Sequence, residues 1–546
     1  MAERFDYVIV GAGSAGCVLA NRLTEDPAVK VLLLEAGGAD NQFFYKLALG
    51  FHSWRYPETS WAYESEPEPH LNGRRLALPR GKVLGGSSTI NGMLYSRGHP
   101  GDYDHWRQLG CEGWSYADVL PYFKRSESNW RGEGTYHGGS GPLQVSRIDT
   151  RKLLHDPVMA AARARGYPIT DDHHGRIHEG FGPGDTTTTR RGRRSSASRA
   201  YLDPIRSRSN LTITTRSYAT RLILEGQRAR GVEYVRDGKS HSVHAEREVI
   251  LTGGVYNSPQ LLMLSGIGPA DHLLGLGIEP VVDLPGVGRN LSEHAGYWLE
   301  YDTREPVTLL NELRVDKLAV SLARWALFGT GTLASQSNSA HAEVRSAPGL
   351  DQPDLQIYFN PVRADAKPWF PGIGKRQEHR ISAVVCLLQP ESRGWMELRS
   401  ADPADKPRIT LNIMATRRDA DALVRGVKLV RDLYATEPLK SLVAREVTPG
   451  ASVATDAEIE AYLRTMLITT HHSVGTCAMG HGSNAVVDPQ LRVRGVEGLR
   501  VCDASIMPTV PGGNTNAPAI MVGEKAADLI RGQQLPRAEV PEFALA

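Results

Sequence analysis

The opening residues Phe5-Asp6-Tyr7-Val8-Ile9-Val10 run directly into Gly11-Ala12-Gly13-Ser14-Ala15-Gly16, and Val31-Leu32-Leu33-Leu34 then ends on Glu35. An apolar β-branched run, a glycine turn, a helix over 17–23 and a second apolar run spell strand, turn, helix and parallel strand. Gly11 permits the sharp turn, Gly13 lets the backbone approach a pyrophosphate, and Gly16 allows helix and strand to pack closely. The helix start aims free N–H groups and its positive dipole end at that phosphate. Glu35 closes the second strand where a carboxylate accepts hydrogen bonds from a ribose diol, at the spacing of about 20 residues that the fingerprint requires. A chain that begins this way is organised around a bound dinucleotide.

With 546 residues the chain exceeds what a single core usually supports, so at least two domains are expected. Its 63 basic residues nearly balance 61 acidic ones, for a formal net charge of +2. That balance gives no electrostatic case for nucleic acid or for a polybasic membrane surface. The run Arg190-Arg191-Gly192-Arg193-Arg194 has no interleaved aromatics and reads as a solvated basic loop. Cys17, Cys111, Cys386, Cys477 and Cys502 are scattered and form no Cys-x-x-Cys pair. They indicate neither a disulfide framework nor a zinc site, and they suit reduced thiols in the cytoplasm. The first strand begins at Phe5, which leaves no room for a secretory signal. The most apolar helical stretch, 318–328, carries Arg324 and is too short to span a bilayer.

Residues 41–68 read as an irregular aromatic segment. Gly85-Gly86-Ser87-Ser88 offers unobstructed backbone N–H groups, a nest for phosphate or a flat ring. Residues 102–126 read as two helices parted at 110–113, with Trp106 and Leu109 on a buried face, and 130–141 as a surface loop or lid. His173, His174 and His178 beside Asp171 and Asp172 lack a regular period to fix ligand geometry; they read as solvated loop histidines, and no metal is expected. Stretches 211–214, 219–224, 231–234 and Val243 alternate like strands, with Asp237-Gly238 as a hairpin turn. Residues 248–254 form a buried strand running into a glycine turn. A helix over 258–264 follows, with Ser258 as N-cap and Pro259 at its first position.

From 299 to 462 helices (315–328, 418–436) mix with strands (355–358, 381–388, 394–398), the pattern of an antiparallel sheet with helices. A buried strand over 499–503, a helix over 517–530 and a mobile tail over 533–546 complete the chain. The fold class expected is an α/β Rossmann-like dinucleotide domain plus an α+β substrate domain with a mainly antiparallel sheet covered by helices. The first takes residues 1–160, 211–298 and 475–532, and the second 161–210 and 299–474.

These motifs together resemble the glucose–methanol–choline (GMC) oxidoreductases, FAD enzymes that oxidise alcohols, and the resemblance covers essentially the whole chain. Gly11 to Gly16 with Glu35 is similar to the family's FAD fingerprint. Gly81-Lys82-Val83-Leu84-Gly85-Gly86-Ser87-Ser88-x-Ile90-Asn91, with Tyr95, Gly98 and Asp104, resembles its first signature, and Asn257-Ser258-Pro259-Gln260-Leu261-Leu262-Met263-Leu264-Ser265-Gly266-Ile267-Gly268 its second. Val255 departs from the smaller residue or proline usual there. The fourth region is His471-His472-Ser473-Val474-Gly475-Thr476, followed by Pro511-Gly512-Gly513-Asn514-Thr515-Asn516-Ala517-Pro518.

The resemblance implies that His472 is the catalytic histidine and Asn514 its partner. It implies that Gly11, Gly13, Ser14 and Gly16 hold the pyrophosphate, that Glu35 binds the adenosine ribose, and that Ala219 meets the adenine through its backbone. Gly85, Gly86, Asn91, Gly92 and Met93 would line the cofactor near the flavin, Asp503 and Ala504 would touch it, and Asn516 and Ala517 would approach the pyrimidine side of the ring. No histidine lies between Gly85 and Asn91, so noncovalent FAD is expected. The implied reaction is oxidation of a neutral primary alcohol to the aldehyde, with hydride transfer to flavin N5 and His472 as general base. Reoxidation falls to oxygen or a quinone-type acceptor, and the enzyme is expected to be a monomer or homodimer. Choline would need a cation cage, for which the aromatics over 43–61 and Trp369-Phe370 are candidates, although core or lid is their commoner use. A hydroxynitrile lyase, which uses the same fold without a redox step, is the alternative.

Overall fold

The computed structural model describes residues 4–48, 57–148, 154–373 and 377–540. The opening strand Arg4–Val10 pairs in parallel with Val31–Leu34 on one side and with Lys239–Leu251 on the other. Leu211–Thr214 extends the sheet beyond Val31–Leu34, and Leu499–Val501 joins it beside Lys239–Leu251, both in parallel. The hydrophobic runs are buried on both faces, as parallel strands covered by helices require. Before it enters this sheet, Lys239–Leu251 pairs antiparallel with Arg228–Arg236, which pairs in turn with Ser217–Glu225. Asp237 and Gly238 make the turn with φ of +50° and +72°, the left-handed pair that a two-residue hairpin demands.

The second sheet is antiparallel throughout, in the order Val443–Thr448, Ala295–Thr303, Arg380–Leu387, Leu355–Asn360, Ala340–Val344 and Gly180–Gly182. The long amphipathic helix Arg417–Tyr434 packs on it, and the exposed helix Val315–Phe328 runs over the range its apolar pattern implies. The expected fold class holds: a Rossmann-like domain plus an antiparallel sheet with helices.

Several local expectations change. The second-signature helix starts at Gly254, not at Ser258, and ends at Leu264. Pro259 therefore lies inside it and has no N–H for the Val255 carbonyl; the Thr476 hydroxyl donates to that carbonyl instead, at 2.6 Å. The same substitution explains the tail. Pro121 sits inside the helix Tyr116–Ser126, and the carbonyl it leaves vacant, that of Ala117, accepts the Ala538 N–H at 2.9 Å. Residues 533–540 are thus pinned rather than loose, while 541–546 lie outside the described residues, as do 49–56 of the aromatic segment. Leu109 is exposed because the helix Pro100–Gln108 has ended before it.

His173, His174 and His178 are buried rather than solvated, packed beneath the second sheet with the His173 ring against His341. Among the described residues no group of histidine, cysteine and acid side chains has the arrangement of a metal site. The basic loop divides: Arg190, Arg191 and Arg193 are exposed, but Arg194 is buried. No helix among the described residues is long and apolar enough to cross a membrane.

The two ends of the chain are locked by one buried carboxylate. Glu524, in the last helix Asn516–Arg531, accepts a bidentate pair from Arg22 at 2.9 and 2.8 Å, Arg125 Nε at 2.8 Å and the Tyr201 hydroxyl at 2.8 Å. Removing it takes the buried partner from two guanidinium groups and leaves Arg22 with Glu25 and Arg125 with Asp528 as their carboxylate partners among the described residues. Glu524→Ala is expected to cost about 3–5 kcal/mol, read as a lowered denaturation midpoint and weaker flavin retention.

Candidate active site

The elements of the parallel sheet end at a cavity of about 660 Å³ that continues toward the antiparallel sheet. Its wall gathers Gly11, Gly13, Ser14 and Glu35 from the opening motif, Gly86, Asn91, Gly92 and Met93 from the first signature, and Ala219 from the meander. Asp503, Ala504 and Asn516 reach it from the end of the chain, together with His472 and Asn514. Three of the expected residues stand off the wall. Gly16 packs against the Gly11 carbonyl, where a Cβ would come within 2.0 Å; Gly85 turns the chain at φ +85°; Ala517 is buried in the core.

The cradle is shaped for a diphosphate. A Cβ on Gly86 would lie 2.8 Å from the Gly13 Cα, so the two glycine loops touch backbone to backbone. The helices Ser14–Leu23 and Asn516–Arg531 both begin here without a side-chain cap, and Ser14 Oγ donates to Asn516 Oδ1 at 2.7 Å. Two uncapped helix starts side by side present unpaired N–H groups and two positive dipole ends. Glu35 accepts from the Ala12 and Gly37 N–H groups at 2.9 and 2.7 Å, and burial pushes its carboxyl up to about 7. Each oxygen keeps a lone pair for a ribose hydroxyl.

Sequence reasoning missed the residues that hold these loops. Arg194, read as solvated, donates to the Asn91 side chain at 2.7 Å and to its carbonyl at 2.8 Å, fixing the first-signature loop. Glu293 accepts from the His472 N–H and from Ser473 Oγ, both at 2.5 Å, and so anchors the histidine loop. No periodicity or motif in the sequence marks either one.

The protonation of His472 follows from its neighbours. His294 Nε2 lies 3.1 Å from the Leu388 carbonyl, which only accepts, so His294 carries its proton there and its Nδ1 is a lone pair. His472 Nδ1 lies 3.0 Å from that lone pair and 3.0 Å from Thr470 Oγ1, whose own proton goes to the His294 carbonyl. Both partners accept, so His472 is protonated on Nδ1. Its Nε2 is then bare, and the Asn514 amide donates to it at 3.0 Å. The Tyr358 hydroxyl in turn reaches Asn514 Oδ1 at 2.9 Å. One side of the His472 ring opens on the cavity while protein encloses the rest. That enclosure, followed by His294, His471 and Arg80, holds the imidazole well below its usual pKa.

Comparison with known proteins assigns the family. The GMC oxidoreductase family models match residues 5–296 and 390–523. This chain belongs to the GMC oxidoreductases. It is 45% identical over 541 residues to an oxygen-dependent choline dehydrogenase of Yersinia pseudotuberculosis, covering 97% of this chain and 94% of that one. Its fold is similar to pyridoxine 4-oxidase from Mesorbium loti (TM-score 0.87, 30% identity, 97% and 100% of the two chains). It is also similar to a variant formate oxidase of Aspergillus oryzae (TM-score 0.90, 28% identity, 97% and 98%). As a GMC member the chain is an FAD-dependent alcohol oxidoreductase, and the diphosphate cradle fits that cofactor.

An imidazole already neutral at physiological pH has no titration there. As pH falls, kcat/KM should stay level through pH 6.5 and drop only at lower pH, where His472 takes a proton. A pH–rate profile with a nonionisable alcohol checks this; a midpoint at the ordinary imidazole value would overturn it.

Proposed function

We propose that this enzyme oxidises a neutral primary alcohol to its aldehyde, using noncovalent FAD, with His472 as general base and Asn514 as hydrogen-bond donor to the alcohol oxygen. The observation that carries the reading is the bare Nε2 of His472 on the cavity wall, 3.0 Å from the Asn514 amide. An alcohol oxygen between these groups gives its proton to Nε2 and accepts from Nδ2–H. General bases of this kind contribute on the order of 10²–10⁴-fold. FAD, when bound, supplies the hydride acceptor at flavin N5. Gly11, Gly13 and Ser14 surround its diphosphate in this reading, Glu35 takes the ribose, Ala219 meets the adenine, and Asn516 approaches the pyrimidine side of the ring. Gly86, Asn91, Gly92, Met93, Asp503 and Ala504 face the remainder. No histidine occurs between Gly81 and Gly92, which supports a cofactor held without a covalent tether.

Charge on the wall supports a neutral substrate over choline, the substrate in the relatives' name. Among the described residues the lining carboxylates are Glu35 and Asp503, and both are engaged. Asp503 accepts from Gly254 N–H, Ser258 Oγ and Ser505 N–H. Trp298, Tyr358, Val384 and Ile468 line the cavity, whereas Trp369 and Phe370 do not. Phe51, Trp54 and Tyr56 of the suggested cage lie outside the described residues. Oxygen, which the relatives' name specifies, and a quinone-type carrier are the acceptors to test. The five cysteines, all free and buried, suit a cytoplasmic enzyme, and a monomer or homodimer is the assembly in this reading.

His472→Ala should stay yellow yet reduce its flavin at least about 100-fold more slowly when mixed anaerobically with a primary alcohol. Normal bleaching in that variant would defeat the base assignment. A wild-type protein that never bleaches would instead favour the non-redox lyase. A panel of choline and neutral alcohols, run with oxygen and with an artificial acceptor, separates the substrates.

A further inference from the structure

The hydrogen-bond chain continues beyond Asn514. With Nε2 of His472 bare, the Asn514 amide must offer Nδ2–H to it, which leaves Oδ1 facing the Tyr358 hydroxyl 2.9 Å away. Tyr358 also contacts Oε1 of Gln356, so one hydroxyl proton faces two carbonyl oxygens. Only one of them can receive it. The conflict disappears if the Gln356 amide makes a half-turn, so that its NH₂ donates to the Tyr358 oxygen and Tyr358 donates to Asn514. The Gln356 oxygen then faces Glu343 Oε1, 3.2 Å from the present amide nitrogen, and two oxygens can meet there only if the carboxyl carries a proton.

We propose that Glu343 is a positioning residue whose carboxyl proton sets the direction of the Glu343–Gln356–Tyr358–Asn514 chain and so turns the Asn514 amide toward the reacting oxygen. The inference rests on the roles proposed above for His472 and Asn514. Every link is buried or half-buried, and all but Asn514 stand on adjacent strands: Glu343 pairs with Gln356 across Ala340–Val344 and Leu355–Asn360, and Tyr358 lies two residues further along. The groups that face Glu343 permit a neutral carboxyl. His341 Nε2, on its own strand, is 3.5 Å away in a ring that burial keeps neutral. Gln356 is uncharged, and Asp102 adds repulsion from the neighbouring helix. The third strand presents glycine, Gly180, opposite Glu343. Burial, with Asp102 adding to it, pushes the Glu343 carboxyl up to about 8.

Ionisation would reverse the chain. A carboxylate takes the Gln356 N–H, Gln356 then presents its oxygen to Tyr358, and the Tyr358 proton leaves Asn514. Activity that rises with pH through His472 should therefore fall again as pH climbs through the Glu343 value.

The test compares holoenzyme carrying Glu343→Gln with Glu343→Ala, reading flavin content, anaerobic flavin reduction by a neutral primary alcohol, kcat and KM across pH 6–10. The amide introduced by Glu343→Gln is a permanent donor, so this variant should stay within about twofold of the parent at pH 7 and lose the alkaline fall. Glu343→Ala should lose about tenfold in kcat with KM little changed. Equal rates in the two variants, or an alkaline fall that survives in Glu343→Gln, would overturn the proposal. If Glu343→Ala does not fold, Tyr358→Phe takes its place with the same expected loss. Failure of the His472 reading is seen separately, in the bleaching of His472→Ala.

Discussion

Lys239–Leu251 is a strand of 13 residues whose first half pairs with an antiparallel meander and whose last residues are bonded on both sides in parallel. One side is the opening strand and the other is Leu499–Val501, from the far end of the chain. The glycine turn and the Asp503 clamp at the cofactor cradle depend on this three-way pairing, because they follow directly from the ends of the opening strand and of Leu499–Val501. Ser14 meets Asn516 where the helix after the opening strand lies beside the last helix, and Gly13 meets Gly86, which comes in on a loop from outside this sheet. The buried Glu524 cluster fixes the same relation from the helical side.

The active-site chemistry is set by hydrogen-bond direction more than by net charge. A backbone carbonyl, that of Leu388, has no freedom to donate, and this one fact fixes His294, then His472, then Asn514. The imidazole is thereby presented with Nε2 bare, without a carboxylate partner to raise its pKa. The histidine loop owes its position to Glu293, an acid that takes backbone and hydroxyl protons and makes no hydrogen bond to the ring itself. Orientation and proton affinity are thus controlled by different neighbours.

Much of this was legible in the sequence where local chemistry decides the outcome. The glycine turn with Glu35, the Asp237-Gly238 hairpin and the helix Val315–Phe328 each follow from spacing or from residues with restricted backbones. The family resemblance brought His472 and Asn514 together across 42 residues of chain. What escaped depends on contacts between distant segments. Pro259 looked like a helix start because its missing N–H is usually free there; Thr476 makes the interior position tolerable. The tail looked loose because nothing near it shows that Pro121 leaves a carbonyl open. His173, His174 and His178 look solvated in a polar stretch, and only the sheet above them takes them out of water.

The complete burial of all five thiols has a practical reach. Burial also pushes their pKa values up, Cys386 and Cys111 each to about 12, so alkylating reagents meet little thiolate in the native state. Labelling then becomes a clock for opening. Cys386 lies on the cavity wall and times access to that chamber, while Cys17 and Cys502, within the parallel-sheet core, time its rupture. Mass-resolved trapping on one sample, with and without flavin, would rank the two events without any added probe.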